Sequence, residues 1–461
     1  MAASAGTNLD RLPITVLDGI VKAICPHCTV EPSSQRDRLD WAVYVNGAGS
    51  AEDVKRVQQL AALARTSWTF NNVATPALYH QPRANLRLIR TLYQRPELCR
   101  HVTNLYASDG FHSNDLSDED KAMLIAIASR YSEEQPRPGQ PVIDLYAIEG
   151  FLEEHPGEFI ESLLVAMCPN LQDLFISCGY NAQFPFSKPG TLPRLKHLHI
   201  AHTDTELGTP LSRARDLIMA APNLTKLWGF MIRHTFTGTM PLKNIKELRF
   251  TSSAFGRADL VRLLRACPLL EVFGYQAGGA TSGDYQFTSR EAQNALVRYA
   301  PNLKYLQLHQ CNGEDMWSSD VESDTSDGED EDEEDDADSE QYINKGLAAL
   351  SSLEALDLDG SCLRPGWEKE DPGHLLAIMP NTIKEVTLCP RWGIGWETGI
   401  MAGVVRRLAE AAGSLFPNLK TISVGGFDRR GESAIFTGQG IAEISRATGV
   451  DIRVLDPYEE L

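Results

Sequence analysis

The sequence predicts an α/β fold in which short strand-plus-helix units stack side by side, behind a small N-terminal helical module. Three observations predict it. The pattern L-x-x-L-x-L recurs nine times. Stretches of helical periodicity separate most copies and close near Pro or Pro-Asn, which stops a helix because proline lacks the N–H and restricts the residue before it. An amphipathic segment with a different pattern precedes them all.

The copies begin at Leu171, Leu195, Leu224, Ile245, Leu270, Leu303, Leu353, Ile383 and Leu419, with a possible earlier one at Val102, Leu105 and Ala107. The two apolar residues one apart, such as Leu306 and Leu308, share one face of a strand, and the first leucine fills the turn into it. The copy at Leu224 is weak after Leu227. Helical stretches include Phe159-Ile160-Leu163-Leu164-Met167, Leu260-Leu263-Leu264 and Val404-Val405-Leu408. One helix and one strand cannot bury their apolar faces alone, whereas stacked copies can.

The chain has 461 residues and a formal net charge of -19. That charge is local. Residues 314–340 hold 16 of the 62 acidic residues and no Lys or Arg, leaving 46 acidic against 43 basic elsewhere. The step from Leu303 to Leu353 is 50 residues. Without those 27 it is 23, close to its neighbours, so the acidic run is an insertion within one repeat. Like charge at this density opposes compaction, and disorder is expected over 314–340. Ser319 and Ser326 each have an acidic residue three positions later, which resembles casein-kinase-II-type phosphorylation sites. The near-neutral remainder argues against a nucleic-acid surface, which needs clustered Lys and Arg.

The repeats, over about residues 95–455, resemble leucine-rich repeats, whose period is roughly 20–29 residues. The resemblance implies an irregular right-handed α/β horseshoe. Residues flanking each buried pair would then face the concave side. Phe175, His197, His199, Trp228, Arg249 and Tyr305 are the expected substrate-binding residues, with Gln307 and His309 after Tyr305 and acidic Asp357, Asp359 and Glu385 further on.

Before the repeats, Val16, Leu17, Ile20, Val21 and Ile24 form one helical stripe behind Leu12-Pro13. A second apolar segment holds Val57, Leu60, Leu63 and Ala64, followed by Trp68, Phe70 and Pro76-Ala77-Leu78-Tyr79. This arrangement, over residues 8–82, resembles the F-box, in particular the fungal type that precedes leucine-rich repeats. Residues 26–56 are expected as a surface loop within it. The resemblance implies a module that docks on a Skp-family adaptor of a cullin ubiquitin ligase core, with Leu12, Pro13, Leu17, Ile20, Leu60, Leu63 and Trp68 as its adaptor-facing or core apolar surface. The repeats would hold a protein substrate. The chain would then be a non-catalytic receptor subunit, monomeric within the complex. The alternative is a stand-alone repeat scaffold whose acidic segment binds basic proteins such as histones.

No catalytic motif is found: neither Gly-Lys-Ser/Thr, nor H-E-x-x-H, nor G-x-S-x-G. Cys25-Pro26-His27-Cys28 supplies two of the four ligands of a structural zinc site, with Cys99 and His101 the nearest later donors. It is read as a helix end with a buried Cys25, and no metal or other cofactor is expected. His197 and His199 share a strand face and are read as solvated surface positions. The first residues carry no basic and apolar signal pattern, and no stretch reaches the ~18 apolar residues of a membrane span. Nine scattered cysteines read as reduced thiols, so a cytoplasmic or nuclear location is expected.

Overall fold

The computed structural model describes residues 12–29, 51–107, 116–133, 145–179, 183–202, 208–236, 238–278, 287–310, 342–363, 373–389, 398–425 and 438–455. The expected disorder of 314–340, with Ser319 and Ser326, lies outside them. Eleven strands, hydrogen-bonded in chain order, form one sheet. They are β1 (Asn104–Ala107), β2 (Asp173–Cys178), β3 (His197–His202), β4 (Lys226–Phe230), β5 (Glu247–Ser253), β6 (Val272–Ala277), β7 (Tyr305–His309), β8 (Ala355–Asp359), β9 (Glu385–Cys389), β10 (Thr421–Val424) and β11 (Asp451–Val454). Chain contacts divide the protein into two units. The first takes residues 1–198 and 216–223, and the second 199–215 and 224–460.

In the first unit, four helices among the described residues build the N-terminal module: α1 (Ile14–Ile24), α2 (Pro26–Thr29), α3 (Ala51–Ala64) and α4 (Trp68–Leu78). Its core is Val21, Cys25, Leu60, Ala64, Ala74 and Ala77, with Ile24, Leu63, Val73 and Leu78 packed around it. The three alanines let the helices approach closely. Ser67 caps α4, its hydroxyl accepting from the Phe70 N–H at 3.2 Å, a contribution of about 1 kcal/mol. The loop expected over 26–56 is shorter at both ends. Pro26 suits a helix's first position and starts α2, while α3 already begins at Ala51. Next come α5 (Leu86–Gln94), β1, α6 (Asp118–Glu133), α7 (Leu145–Glu154) and α8 (Pro156–Met167), then β2. In α8 nearly every residue is buried, including Phe159, Ile160, Leu163 and Leu164. β1 and β2 pair in parallel, Leu105 beside Leu174 and Ala107 beside Ile176, which realises the earlier copy.

In the second unit the expected positions, joined by Gly229 and by the unexpected β11, align in two rows. One runs Leu227, Leu248, Phe273, Leu306, Leu356, Val386, Ile422 and Ile452. The other runs Gly229, Phe250, Tyr275, Leu308, Leu358, Leu388, Val424 and Val454. From Phe250 to Val424 each member of this second row is at most 1% exposed, and burial of such a side chain stabilises by about 1.5–3 kcal/mol. Tyr275 is tolerated there because its hydroxyl donates to the Ser253 carbonyl at 2.7 Å and accepts from the Phe255 N–H at 3.3 Å. Before β4, and mostly in the first unit, lies α9 (Arg215–Ala220); among the described residues, the helices between the strands of the rows are α10 (Arg257–Ala266), α11 (Ser289–Tyr299), α12 (Gly373–Ile378), α13 (Thr398–Ala412) and α14 (Gly438–Thr448). Thr288 and Glu291 form a reciprocal capping box on α11.

The Pro-Asn punctuation has a second role beyond ending helices. Within the first unit, Asn170 Nδ2 donates to the Arg100 carbonyl at 2.8 Å and Asn223 Nδ2 to the Pro193 carbonyl at 2.9 Å. Each asparagine therefore ties its turn to the preceding repeat.

Candidate functional site

The N-terminal module keeps part of its apolar surface outside. Leu17 and Leu60 are fully buried and Leu63 is half-buried. Leu17 and Leu60 therefore lie on the core side of the expected set, Leu60 beside Val21 of α1. Leu12, Pro13, Ile20 and Trp68 of the expected set are exposed. Ile14 at 67% and Val16 on the same helix, and Val54 and Val57 on α3, are exposed as well. Trp68 is 80% exposed because it sits in the first turn of α4, where the Ser67 cap turns Phe70 inward instead. An indole and several aliphatic side chains left in water on one small module form the kind of surface that partners cover.

On the sheet of the second unit, the row between the buried ones carries Trp228, Arg249, Gly274, Gln307, Asp357, Thr387 and Ser423. Trp228 is only 4% exposed. Its indole N–H donates to Glu247 Oε1 at 3.1 Å, and the His199 ring meets it edge-on at 4.5 Å. Arg249 lies between two rings, 5.7 Å from the centroid of Trp228 and 5.1 Å from that of Tyr305. Gly274 makes this span possible: a Cβ there would stand 3.3 Å from Arg249 Cγ and 3.1 Å from Gln307 Oε1. Glu247 anchors the group. Its carboxylate accepts from Arg249 Nε at 2.7 Å and from Lys226 Nζ at 2.9 Å. Burial alone would raise the Glu247 carboxyl, but the charges and hydrogen bonds of Arg249 and Lys226 outweigh it and hold the group below the usual carboxylate range. Burial, more than the nearby Asp357 charge, pushes the half-buried Tyr305 phenol up.

The row continues into acid. Gln307 Nε2 donates to Asp357 Oδ2 at 2.9 Å, and His309 Nε2 lies 2.9 Å from Asp357 Oδ1. Burial works against a charged His309, yet the Asp357 charge and hydrogen bond hold its pKa well above the usual histidine range. Cys389 Sγ stands 3.8 Å from Asp357 Oδ1. Asp359 is buried too, accepting from Ser361 Oγ at 2.6 Å, while Glu385 is exposed.

The expected concave set therefore divides. His199, Trp228, Arg249 and Tyr305 are brought together. In the first unit, Phe175 is 4% exposed and stacks with Tyr106 at 6.1 Å, and His197 Nδ1 pairs with Asp173. Phe175 and Trp228 are corrected from open surface to buried packing, since aromatic side chains on adjacent strands lie over their neighbours instead of standing into solvent.

Sequence reading missed a ladder of ions just before the strands. Lys246, Glu271 and Lys304 follow one another, with Glu271 accepting from Lys246 Nζ at 3.1 Å and from Lys304 Nζ at 2.8 Å. Lys384 and Glu354 pair at 2.8 Å in the same position two repeats on. Each exposed pair is worth at most about 1 kcal/mol. The signal was the residue following each first leucine, whose alternating charge means little until the register sets Lys beside Glu.

Among the described residues, no helix is long and apolar enough to cross a membrane. No family model matches the chain, and no curated protein matches it significantly.

Proposed function

We propose that the chain is the substrate-recognition subunit of a Skp–cullin–F-box ubiquitin ligase. Its N-terminal module acts as the F-box that docks on the Skp-family adaptor, and its leucine-rich repeats hold a protein substrate. The observation that carries this reading is the module's division of its own sequence. Val21, Leu60, Ala64, Ala74 and Ala77 close a core of its own, while Ile14, Val16, Ile20 and Trp68 remain outside it. A capping helix pair serving only the first repeat would turn such residues toward the repeat, whereas a docking module leaves them for its partner. The ion-paired row around Arg249 and Asp357 supports a protein substrate, because aromatic and arginine side chains are the usual anchors of protein interfaces.

Reconstitution tests this. Co-expressed with a Skp-family adaptor and a cullin core, the full chain is expected to elute as one stoichiometric assembly. Deleting Leu12–Ile20 is expected to release it. Elution apart from the adaptor, with the chain folded, overturns the proposal.

A further inference from the structure

The C-x-x-C pair acquires a third donor in space. A single turn after α1, in which the Cys28 N–H donates to the Cys25 carbonyl at 3.1 Å, brings both thiols to one side. There His80, just past the end of α4, presents Nδ1 at 3.9 Å from Cys25 Sγ and 3.6 Å from Cys28 Sγ. All three donor atoms lie within 4.8 Å of one another. We propose that Cys25, Cys28 and His80 bind a zinc ion, which staples the end of α1 to the end of α4.

The distances fit a metal, although thiol–imidazole hydrogen bonds span the same range. Zn–S of about 2.3 Å and Zn–N of about 2.0–2.1 Å at tetrahedral angles require S···N separations of about 3.6 Å. The two observed separations match that spacing to within a few tenths of an ångström. The donor set also fits: two thiolates and an imidazole suit zinc, whereas calcium and magnesium take oxygen ligands. The histidine is held in place before any metal arrives. Its carbonyl accepts from the Thr103 N–H, the Asn104 N–H and the Thr103 hydroxyl at 2.8–3.1 Å. Cys25 is buried and Cys28 exposed, so an ion reaches the site from the Cys28 side. Binding is balanced as two thiol protons released per zinc taken up, with no change of oxidation state.

The site is independent of the ligase reading, and its test needs no partner. Full-length chain purified under reducing conditions is expected to carry about one zinc per chain by elemental analysis. Replacing zinc with cobalt(II) is expected to produce thiolate-to-cobalt charge-transfer bands and the intense visible bands of a tetrahedral ion. Cys28→Ser and His80→Gln are each expected to abolish both signals with the circular dichroism unchanged. Cys267→Ser, at a buried thiol in a different helix end, is expected to keep them. Three results overturn the proposal: no zinc and no cobalt bands in folded, reduced chain; zinc retained by Cys28→Ser; or a Cys25–Cys28 disulfide as the stable state under those conditions.

Discussion

Glu247→Ala should destabilise the second unit more than any exposed ion pair could. The carboxylate is 6% exposed and takes three donors: Trp228 Nε1, Arg249 Nε and Lys226 Nζ. Removing it leaves the Arg249 guanidinium, only 12% exposed, without its counter-charge, and leaves a buried indole N–H unpaired. Breaking a buried pair by deleting one partner costs about 3–5 kcal/mol. Two effects reduce that here. Lys226 is 34% exposed and recovers solvation, and Arg249 keeps its two ring contacts, worth about 1 kcal/mol or more. The net expectation is a loss of about 3 kcal/mol, or about 6–12 °C in the melting midpoint of a unit of this size. Glu247→Gln, which keeps the volume and one acceptor, should lose about half as much. The pH dependence carries the sign. Glu247 is depressed in the folded state, so its contribution is present above the ordinary carboxylate range near about 4.3 and is lost as the pH falls through the folded value. Urea unfolding at pH 7 and pH 3 checks this: the gap between wild type and Glu247→Ala should narrow in acid. A pH 7 loss under about 1 kcal/mol, or a gap that does not narrow, would refute the buried-anchor reasoning.

Two further perturbations test the repeat geometry. Gly229→Ala should destabilise by about 1–3 kcal/mol through overpacking, since its Cβ would stand 2.6 Å from both Ile232 Cγ1 and Phe250 Cδ1; a neutral result in thermal unfolding would mean that the row is looser than it looks. Deleting residues 314–340 should change stability by about 1 kcal/mol or less, because shortening a connection acts only logarithmically and β7 and β8 already pair in the common register, Leu306 beside Leu356. Loss of cooperative unfolding in that deletion would contradict the reading of an insertion.

The strands were legible because leucine and its equivalents recur at a spacing that a stacked strand uses, and every expected copy from Val102 to Leu419 is found as a strand. Two glycines hid the rest. Gly229 replaces an apolar residue because Ile232 and Phe250 already fill the space, which made the fourth strand look weak. Gly449, in the left-handed region at φ 76°, stands where β11 should have its first leucine, so the last strand went unread. Candidate-site residues were harder. Spacing identified which residues flank the buried rows but not their packing: Phe175 was expected on the open face and is buried, and Trp228 takes the packed place that was its alternative. The C-x-x-C pair pointed forward to Cys99 and His101. Cys99 turns its thiol to the Leu92 carbonyl instead, and the donor that arrives is His80, which no local pattern marks. Helix packing, not sequence distance, decides that meeting.

The central claim rests on the module's exposed side chains meeting an adaptor. Titrating the full chain with a purified Skp-family adaptor, by calorimetry, measures this directly. A one-to-one complex with a dissociation constant near or below about 1 μM is expected. The double variant Ile14→Asp, Trp68→Asp should weaken it at least about tenfold, roughly 1.4 kcal/mol, with the melting curve unchanged because both side chains, 67% and 80% exposed, already face solvent. No binding by the intact, folded chain, or equal binding by the charged variant, would contradict the proposed function.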